Sequence, residues 1–307
     1  MTMKPECVGY DGKPLHLTNP DDGLYWFDAP AFSITRDTHR IGCRDENIYL
    51  ITTSEGHIMI DTGFGNGSEY FTLCNIIDLG FNPKDIKYII LTHKHPDHIG
   101  GAKRLKELTG AKIIAHKTDA YSIESGYIHI LPNDGSEWPI YGCEIDHRLT
   151  DDYVLEVGDK RISILHTPGH TAGCLSILWN IEIEGKEYCA GLTGICGEAT
   201  LYDLINGKRE FPAGESPSDY HKSIDKLLTQ QVNVFLASHS CDNNGWGKYE
   251  ELKKGKKPNP FIDPKGWENF LKSLDEKISL MENGIDVYEG KGWFGVKKFE
   301  QGFFGPQ

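Results

Sequence analysis

The sequence predicts an α/β layered fold on three observations. Short apolar runs of strand length alternate with amphipathic segments closed by glycine, which is the pattern of stacked sheet and helix layers. Hydrophobic residues make up 38% of the 307, enough to fill a sizeable core, and 34 glycines provide many turns. Histidines and acids stand where several of the apolar runs end. Residues 1–23 are polar and irregular and are expected to form an N-terminal arm. Residues 24–307 are expected to form one domain, a length that a large α/β sandwich accommodates.

The aromatic stretch at 25–32 is expected to wall a core or a cleft mouth. Residues 47–53 and 57–60 read as strands of a hairpin turning at Ser54-Glu55-Gly56. The second strand runs into Asp61-Thr62-Gly63, and an acid beside a glycine at a buried strand end commonly orients a loop. Residues 68–80 have helical spacing with a glycine stop, 88–91 form a strand, and 102–108 form a helix ended by Thr109-Gly110. A strand at 112–115 and a helix at 117–125 follow. Residues 126–148 are turn-rich and aromatic, and connections of this length often lie over active sites. Tyr127, Trp138 and Tyr141 are candidates for lining a substrate cleft, with plain packing as the alternative.

From 154 to 179 the pattern is strand, tight turn, strand, loop, strand, with His166 at a strand end read as structural. A hairpin over 181–190 turns at Glu184-Gly185-Lys186, and a glycine-rich loop segment runs from 191 to about 214. Residues 218–229 read as a helix capped by Ser218, 232–237 as a strand, 253–257 as a solvated lysine loop, and 264–283 as an outer helix.

The chemistry concentrates in KDIKYIILTHKHPDHIGG, residues 84–101, where an apolar strand runs into His93, His95, Asp97 and His98. His93 and His95, two apart, can point the same way and grip one ion, while Asp97 and His98 turn off the strand toward a second. Imidazole and carboxylate suit Zn²⁺, with iron and manganese as weaker candidates. A polar surface turn is the alternative, and four such side chains within six residues at a strand end weigh against it. His170, on a Pro-Gly turn between apolar strands, completes a three-histidine set with His93 and His95. His239, at the end of the strand VNVFLA, joins Asp97 and His98 in a second set. Three histidines and a water form the catalytic zinc pattern. Two ions sharing a hydroxide provide a nucleophile at neutral pH and a clamp on developing charge. Asp61 is expected to brace the histidine cluster from behind as a hydrogen-bond acceptor.

The 45 acidic against 32 basic residues give a net charge of -13, which opposes contact with nucleic-acid phosphates. The N-terminal residues lack the apolar run of a secretory signal, and no stretch approaches a membrane span. The expected partner is a small-molecule substrate, not nucleic acid or membrane. Eight cysteines without any CxxC pair read as reduced thiols of a cytoplasmic protein and not as a disulfide framework.

HxHxDH with a leading DTG, a TPGHTAG loop and a late strand-end histidine resembles the metallo-β-lactamase superfamily, from about Trp26 to Asn283. The resemblance implies a four-layer αββα sandwich with the metal cleft at one edge of the two sheets. Most hydrolases of that superfamily, lactonases and glyoxalase-II-like thioesterases included, bridge their metals with an aspartate after the hairpin, in a G-D context. Here that position reads Ala190-Gly191-Leu192-Thr193, without a carboxylate or cysteine. The two ligand sets are similar to those of the third subclass of class B β-lactamases, whose second zinc is held by one Asp and two His. That subclass carries two serines in the post-hairpin loop; they align with Gly191 and Thr193, and only Thr193 keeps a hydroxyl to meet a substrate carboxylate.

By resemblance the chain is expected to be a di-zinc hydrolase of a cyclic, β-lactam-like amide. The His93/His95/His170 zinc would polarise the carbonyl, and a bridging hydroxide would attack with Asp97 orienting it and accepting its proton. The Asp97/His98/His239 zinc would stabilise the leaving nitrogen. A cytosolic hydrolase of a lactone, ester or thioester is the alternative, and a non-catalytic metal-binding scaffold is a third. The missing signal weakens an antibiotic-resistance role, because β-lactams act outside the cytoplasm.

Overall fold

A computed structural model describes residues 29–44, 46–65, 67–129, 137–198, 200–201 and 213–287, with the backbone alone at 127–129 and 137–139. The arm expected at 1–23 and the aromatic residues at 25–28 lie outside the described residues. The first half of the chain gives β1 (Phe32–Ser33), β2 (Thr38–Arg40), the hairpin of β3 (Tyr49–Thr53) and β4 (Gly56–Ile60), then α1 (Ser68–Asp78). It continues with β5 (Ile86–Ile90), α2 (Pro96–Ile99), α3 (Ala102–Thr109), β6 (Lys112–His116) and α4 (Ala120–Ser125). A small ribbon, β7 (Tyr127–His129) with β8 (Glu137–Pro139), precedes β9 (His147–Leu149). The second half gives β10 (Tyr153–Val157), β11 (Lys160–His166), β12 (Leu175–Ile183), β13 (Lys186–Leu192), α5 (Pro217–Leu228), β14 (Val234–Phe235), α6 (Gly245–Lys253) and α7 (Gly266–Glu282).

Two mixed sheets result, ordered β1-β2-β3-β4-β5-β6-β9 and β10-β11-β12-β13-β14. Strand side chains alternate between faces, and the alternation sorts the apolar residues into three cores. Tyr49, Ile51, Ile58, Ile60, Ile90 and Ile114 face the other sheet, where they meet Ile162, Ile164, Ile177 and Trp179. Their neighbours Leu50, Met59, Ile89 and Ile113 face outward onto Ile76, Leu105 and Ile123 of α1, α3 and α4. On the far side Leu178 and Phe235 meet Tyr220, Ile224 and Leu227 of α5 and Trp267, Leu271 and Ile278 of α7. The layers therefore run helix, sheet, sheet, helix. Each fully buried Ile, Leu or Phe contributes about 1.5–3 kcal/mol.

Strand direction decides where the polar strand ends gather. Strands β4, β5 and β6 are mutually parallel, so Asp61, Thr92-His93 and His116–Asp119 leave the sheet at one edge. In the second sheet β14 runs parallel to β13, which brings the loop after Leu192 and the Ser238-His239 segment to a common edge. The His170 loop joins β11 to its antiparallel partner β12 at that same end. Backbone bonds stitch the two edges together: Leu175 N to Thr92 O at 2.8 Å and Asn47 N to Ser238 O at 2.7 Å.

Several boundaries differ from those expected. Helix α5 is capped by Ser216 and not Ser218: Ser216 Oγ accepts Asp219 N, Asp219 Oδ2 accepts Ser216 N, and Pro217 stands at the first helical position. That S-P-x-D capping box satisfies two end donors together. Helix α4 begins at Ala120, three residues late, because 117–119 form a turn. Lys253, expected in a solvated loop, closes α6, whose Trp246 and Tyr249 lie against Phe32. Gly245 and Gly247, poor helix formers, hid that helix. The strand expected over 232–237 pairs only at β14.

Candidate metal centre

Seven potential ligand side chains converge at the sheet edges in three overlapping groups. His93, His95 and His170 form one, Asp97, His98 and His239 a second, and His93, His98 and Cys196 a third; in each, the donor atoms all lie within 4.8 Å of one another. The first three rings stand nearly perpendicular, at 82–86°, with centroids 4.5–4.8 Å apart. Three imidazole edges thus point at a common centre, as a facial metal site requires. In the second group Asp97 Oδ2 lies 3.2 Å from His98 Nε2 and 3.8 Å from His239 Nε2. The two groups touch through His93 and His98, whose centroids are 4.0 Å apart. Asp97 and His239 are about one-fifth exposed, so this side of the cluster faces solvent while the three-histidine side is buried.

Hydrogen bonds behind the ligands select their tautomers. Asp61, fully buried at φ 62, accepts Thr92 N at 2.7 Å and Thr92 Oγ1 at 2.8 Å, and lies 2.8 Å from His98 Nδ1. With the Thr92 hydroxyl proton engaged on Asp61, its oxygen is left to accept from His93 Nδ1 at 3.1 Å. His170 Nδ1 is 3.1 Å from the Gly197 carbonyl. A ring nitrogen facing a carboxylate or carbonyl is the protonated one, so the opposite Nε2 keeps its lone pair. His93 Nε2 and His98 Nε2 are buried and make no well-aligned hydrogen bond, although Asp97 Oδ2 stands 3.2 Å from the latter. Buried polar atoms are almost always bonded, and these two nitrogens aimed at the shared centre fit a divalent cation.

Two further supports hold the ligand loops. Asp119 Oδ2 accepts Lys94 N at 2.9 Å and Thr171 Oγ1 at 2.7 Å, tying the His93/His95 segment to the His170 segment. Tyr220 Oη donates to Gly197 O at 2.9 Å and lies 3.1 Å from His170 Nδ1. Gly169, at φ 150, is packed so that a Cβ would stand 2.8 Å from the Tyr220 ring, which leaves only glycine at that position.

Residues 41–179 match the metallo-β-lactamase superfamily. The native FEZ-1 metallo-β-lactamase of Legionella gormanii superposes with a TM-score of 0.75 at 30% identity, over 83% of this chain and 97% of that one. The chain belongs to the metallo-β-lactamase superfamily. BJP-1, a subclass B3 metallo-β-lactamase of Bradyrhizobium japonicum, gives a TM-score of 0.74 at 28% identity, over 83% of this chain and 94% of that one. The hydroxyacylglutathione hydrolase GloC of Haemophilus influenzae is 27% identical over 227 residues, 72% of this chain and 94% of that protein. Three other curated relatives are spanned over about half their length. As a member of this superfamily the chain is a metal-dependent hydrolase.

The electrostatics divide the superfamily site in two. Burial holds His93 and His95 well below the usual imidazole range, reinforced by the neighbouring rings, so both present neutral donors. Around Asp97 burial is outweighed: His98 and His239 hold its carboxyl well below the usual range, and Asp97 with Asp61 holds His98 well above its own. Cys196 and Asp97 likewise overcome burial and raise His239 to about 10. Burial would push the Cys196 thiol up, yet His170 and contacts to His239 and His98 hold it well below its ordinary value. An anionic carboxylate and thiolate ringed by imidazoles form the charge pattern of a cation site, with protons on His98 and His239 where a cation would displace them.

Of the other residues expected near the site, Thr193 is buried just beyond β13, and its carbonyl accepts Ser238 Oγ at 3.0 Å. Tyr127 and Trp138 fall on the β7–β8 ribbon, with Ile128 opposite Trp138, and their side chains lie outside the described residues. Tyr141 is exposed, with Lys103 Nζ 5.8 Å from its ring centroid. His166 stacks on His116 at 3.7 Å and 10° and belongs to none of the three ligand groups. Cys196 and Asp119 escaped the sequence reading. Cys196 lies beyond Leu192, the end of β13, and its only signal in the sequence is a thiol between Gly194 and Gly197. Asp119 carries no motif at all.

Proposed function

We propose that the chain hydrolyses a cyclic, β-lactam-like amide with two zinc ions, one held by His93, His95 and His170 and the other by Asp97, His98 and His239. The observation that carries this reading is the composition of the cluster: among the described residues its groups contain one carboxylate, Asp97. That matches an Asp-His-His second site and differs from the carboxylate-bridged pattern implied for lactonases and glyoxalase-II-like thioesterases. Bound zinc supplies Lewis-acid polarisation and an ionised water at neutral pH. The chain's own part begins with Asp97, ionised throughout the working range and on the solvent-facing side of the cluster. Asp97 orients the attacking water as a hydrogen-bond acceptor, and the proton that water gives up goes on to the departing nitrogen. Asp61, through Thr92 and His98, keeps the Nε2 lone pairs of both sets facing inward.

A second reading, hydrolysis of a lactone or thioester, is supported by the 94% coverage of the Haemophilus hydroxyacylglutathione hydrolase. Seven described cysteines are free thiols, which supports a cytoplasmic setting and a small-molecule substrate met there. No helix among the described residues is long and apolar enough to cross a membrane. A chromogenic cephalosporin, a homoserine lactone and an acyl-glutathione thioester, assayed on one zinc-loaded sample, separate the two readings. Cephalosporin turnover in excess, abolished by a chelator and reduced at least ~100-fold by Asp97→Asn, is the expected result. Equal or greater lactone or thioester turnover assigns the second reading.

A further inference from the structure

We infer that Cys196 is a metal ligand, a thiolate donor at the seam between the two histidine sets. The inference rests on the zinc reading above and extends it to a residue outside both sets. Cys196 Sγ lies within 4.8 Å of the ligating nitrogens of both His93 and His98, one from each set. Donors bound to one zinc at about 2.0–2.1 Å for nitrogen and about 2.3 Å for sulfur stand about 3.5 Å apart, so modest closure around an ion satisfies the geometry. Of the facing atoms, His93 Nε2 is a buried nitrogen without a hydrogen-bond partner, and His98 Nε2, equally buried, has Asp97 Oδ2 beside it at 3.2 Å. No other cysteine joins any ligand group among the described residues, so the thiol is selected by position and not by abundance.

The fold holds the sulfur there. Gly194 packs against β12 so closely that a Cβ would stand 2.3 Å from the Leu175 carbonyl oxygen. Gly194 N donates to Ser176 Oγ at 3.1 Å, and the Gly197 carbonyl is fixed by Tyr220 Oη at 2.9 Å. The span Ile195-Cys196 is thus pinned at both ends, with Cys196 only 2% exposed. A soft thiolate between the two sets biases the centre toward zinc over manganese or magnesium. On metal binding the thiol proton leaves to solvent and one sulfur–metal bond forms, with no redox change.

Cobalt(II) substitution tests this directly. The metal-free full chain is titrated with Co²⁺, and bound cobalt is counted in parallel. The expected result is a near-ultraviolet thiolate-to-cobalt charge-transfer band in the native chain, absent from Cys196→Ser and Cys196→Ala. The variants keep the visible ligand-field bands and bind at least one cobalt more than about tenfold more weakly, the lower bound for disturbing a site from outside. Bound cobalt without the charge-transfer band in the native chain overturns the ligand and leaves the zinc reading standing. A band that persists in Cys196→Ser also overturns it. No cobalt binding at all removes the centre and this ligand with it. A native chain that binds cobalt without the band overturns the ligand whether or not a variant folds, and a band that is present is assigned to Cys196 by its loss from whichever of Cys196→Ser and Cys196→Ala keeps the native circular-dichroism melt.

Discussion

Asp61 is the residue whose change should travel furthest for the least structural damage. Its carboxylate faces three donors: Thr92 N, Thr92 Oγ1 and His98 Nδ1, at 2.7, 2.8 and 2.8 Å. Through Thr92 it also governs His93, so one side chain sets a ligand tautomer in each histidine set. Asp61→Asn is nearly isosteric, and asparagine tolerates the left-handed φ of 62 almost as well as aspartate. The amide oxygen can still accept Thr92 N, but its NH₂ then opposes the His98 Nδ1 proton. One charge-assisted hydrogen bond is lost, about 1.5–3 kcal/mol. His98 relieves the clash by carrying its proton on Nε2, which removes the lone pair from the metal. The expected loss of affinity at the Asp97/His98/His239 site is about 10–100-fold, or about 1.4–2.8 kcal/mol, with a smaller loss at the other site. Competition against a chromogenic zinc chelator reads the two affinities, and a circular-dichroism melt confirms that the variant folds. Zinc affinities within about twofold of the native chain at both sites would refute the claim that Asp61 orients the ligands.

Two predictions concern the scaffold. A Cβ at Gly100 would stand 2.0 Å from the Phe64 carbonyl oxygen and 2.7 Å from the Pro96 carbonyl oxygen, both backbone. Gly100→Ala should therefore cost about 1–3 kcal/mol or more and displace α2 with its Asp97 and His98; a denaturant midpoint unchanged from the native chain would contradict this. His39 is buried against Phe81 and held down to about 4, by burial first and by His57, against the pull of Asp37. The folded value lies below the unfolded value of 6.5, so the unfolded state binds more protons on acidification. Stability should fall as pH drops from about 6.5 toward 4, by on the order of 3 kcal/mol from this imidazole. His39→Gln should flatten that acid limb in metal-free protein, whereas an unchanged limb would show that His39 does not titrate across folding.

The amino-acid order alone determined the elements whose forces are local. Alternating Ile, Leu and Tyr at 47–60 and at 160–192 wrote the hairpins and both faces of each strand, because a side-chain period of two needs no tertiary information. The crowding of His93, His95, Asp97 and His98 was equally visible, since all four lie on one strand exit. Glycines in α6 and the Ser216 cap misled the local reading, because packing on Phe32 in one case and a reciprocal side-chain bond in the other outweighed propensity. What only the tertiary structure decided is which distant groups face that strand exit. Asp119, His170, Cys196 and His239 lie progressively further along the chain than His98. They reach it only because parallel β4, β5 and β6 in one sheet, and β13 with β14 in the other, open at a common edge. No periodicity in the sequence records that meeting, since the energy that fixes it lies in the buried faces between the sheets and not in the loops that carry the chemistry.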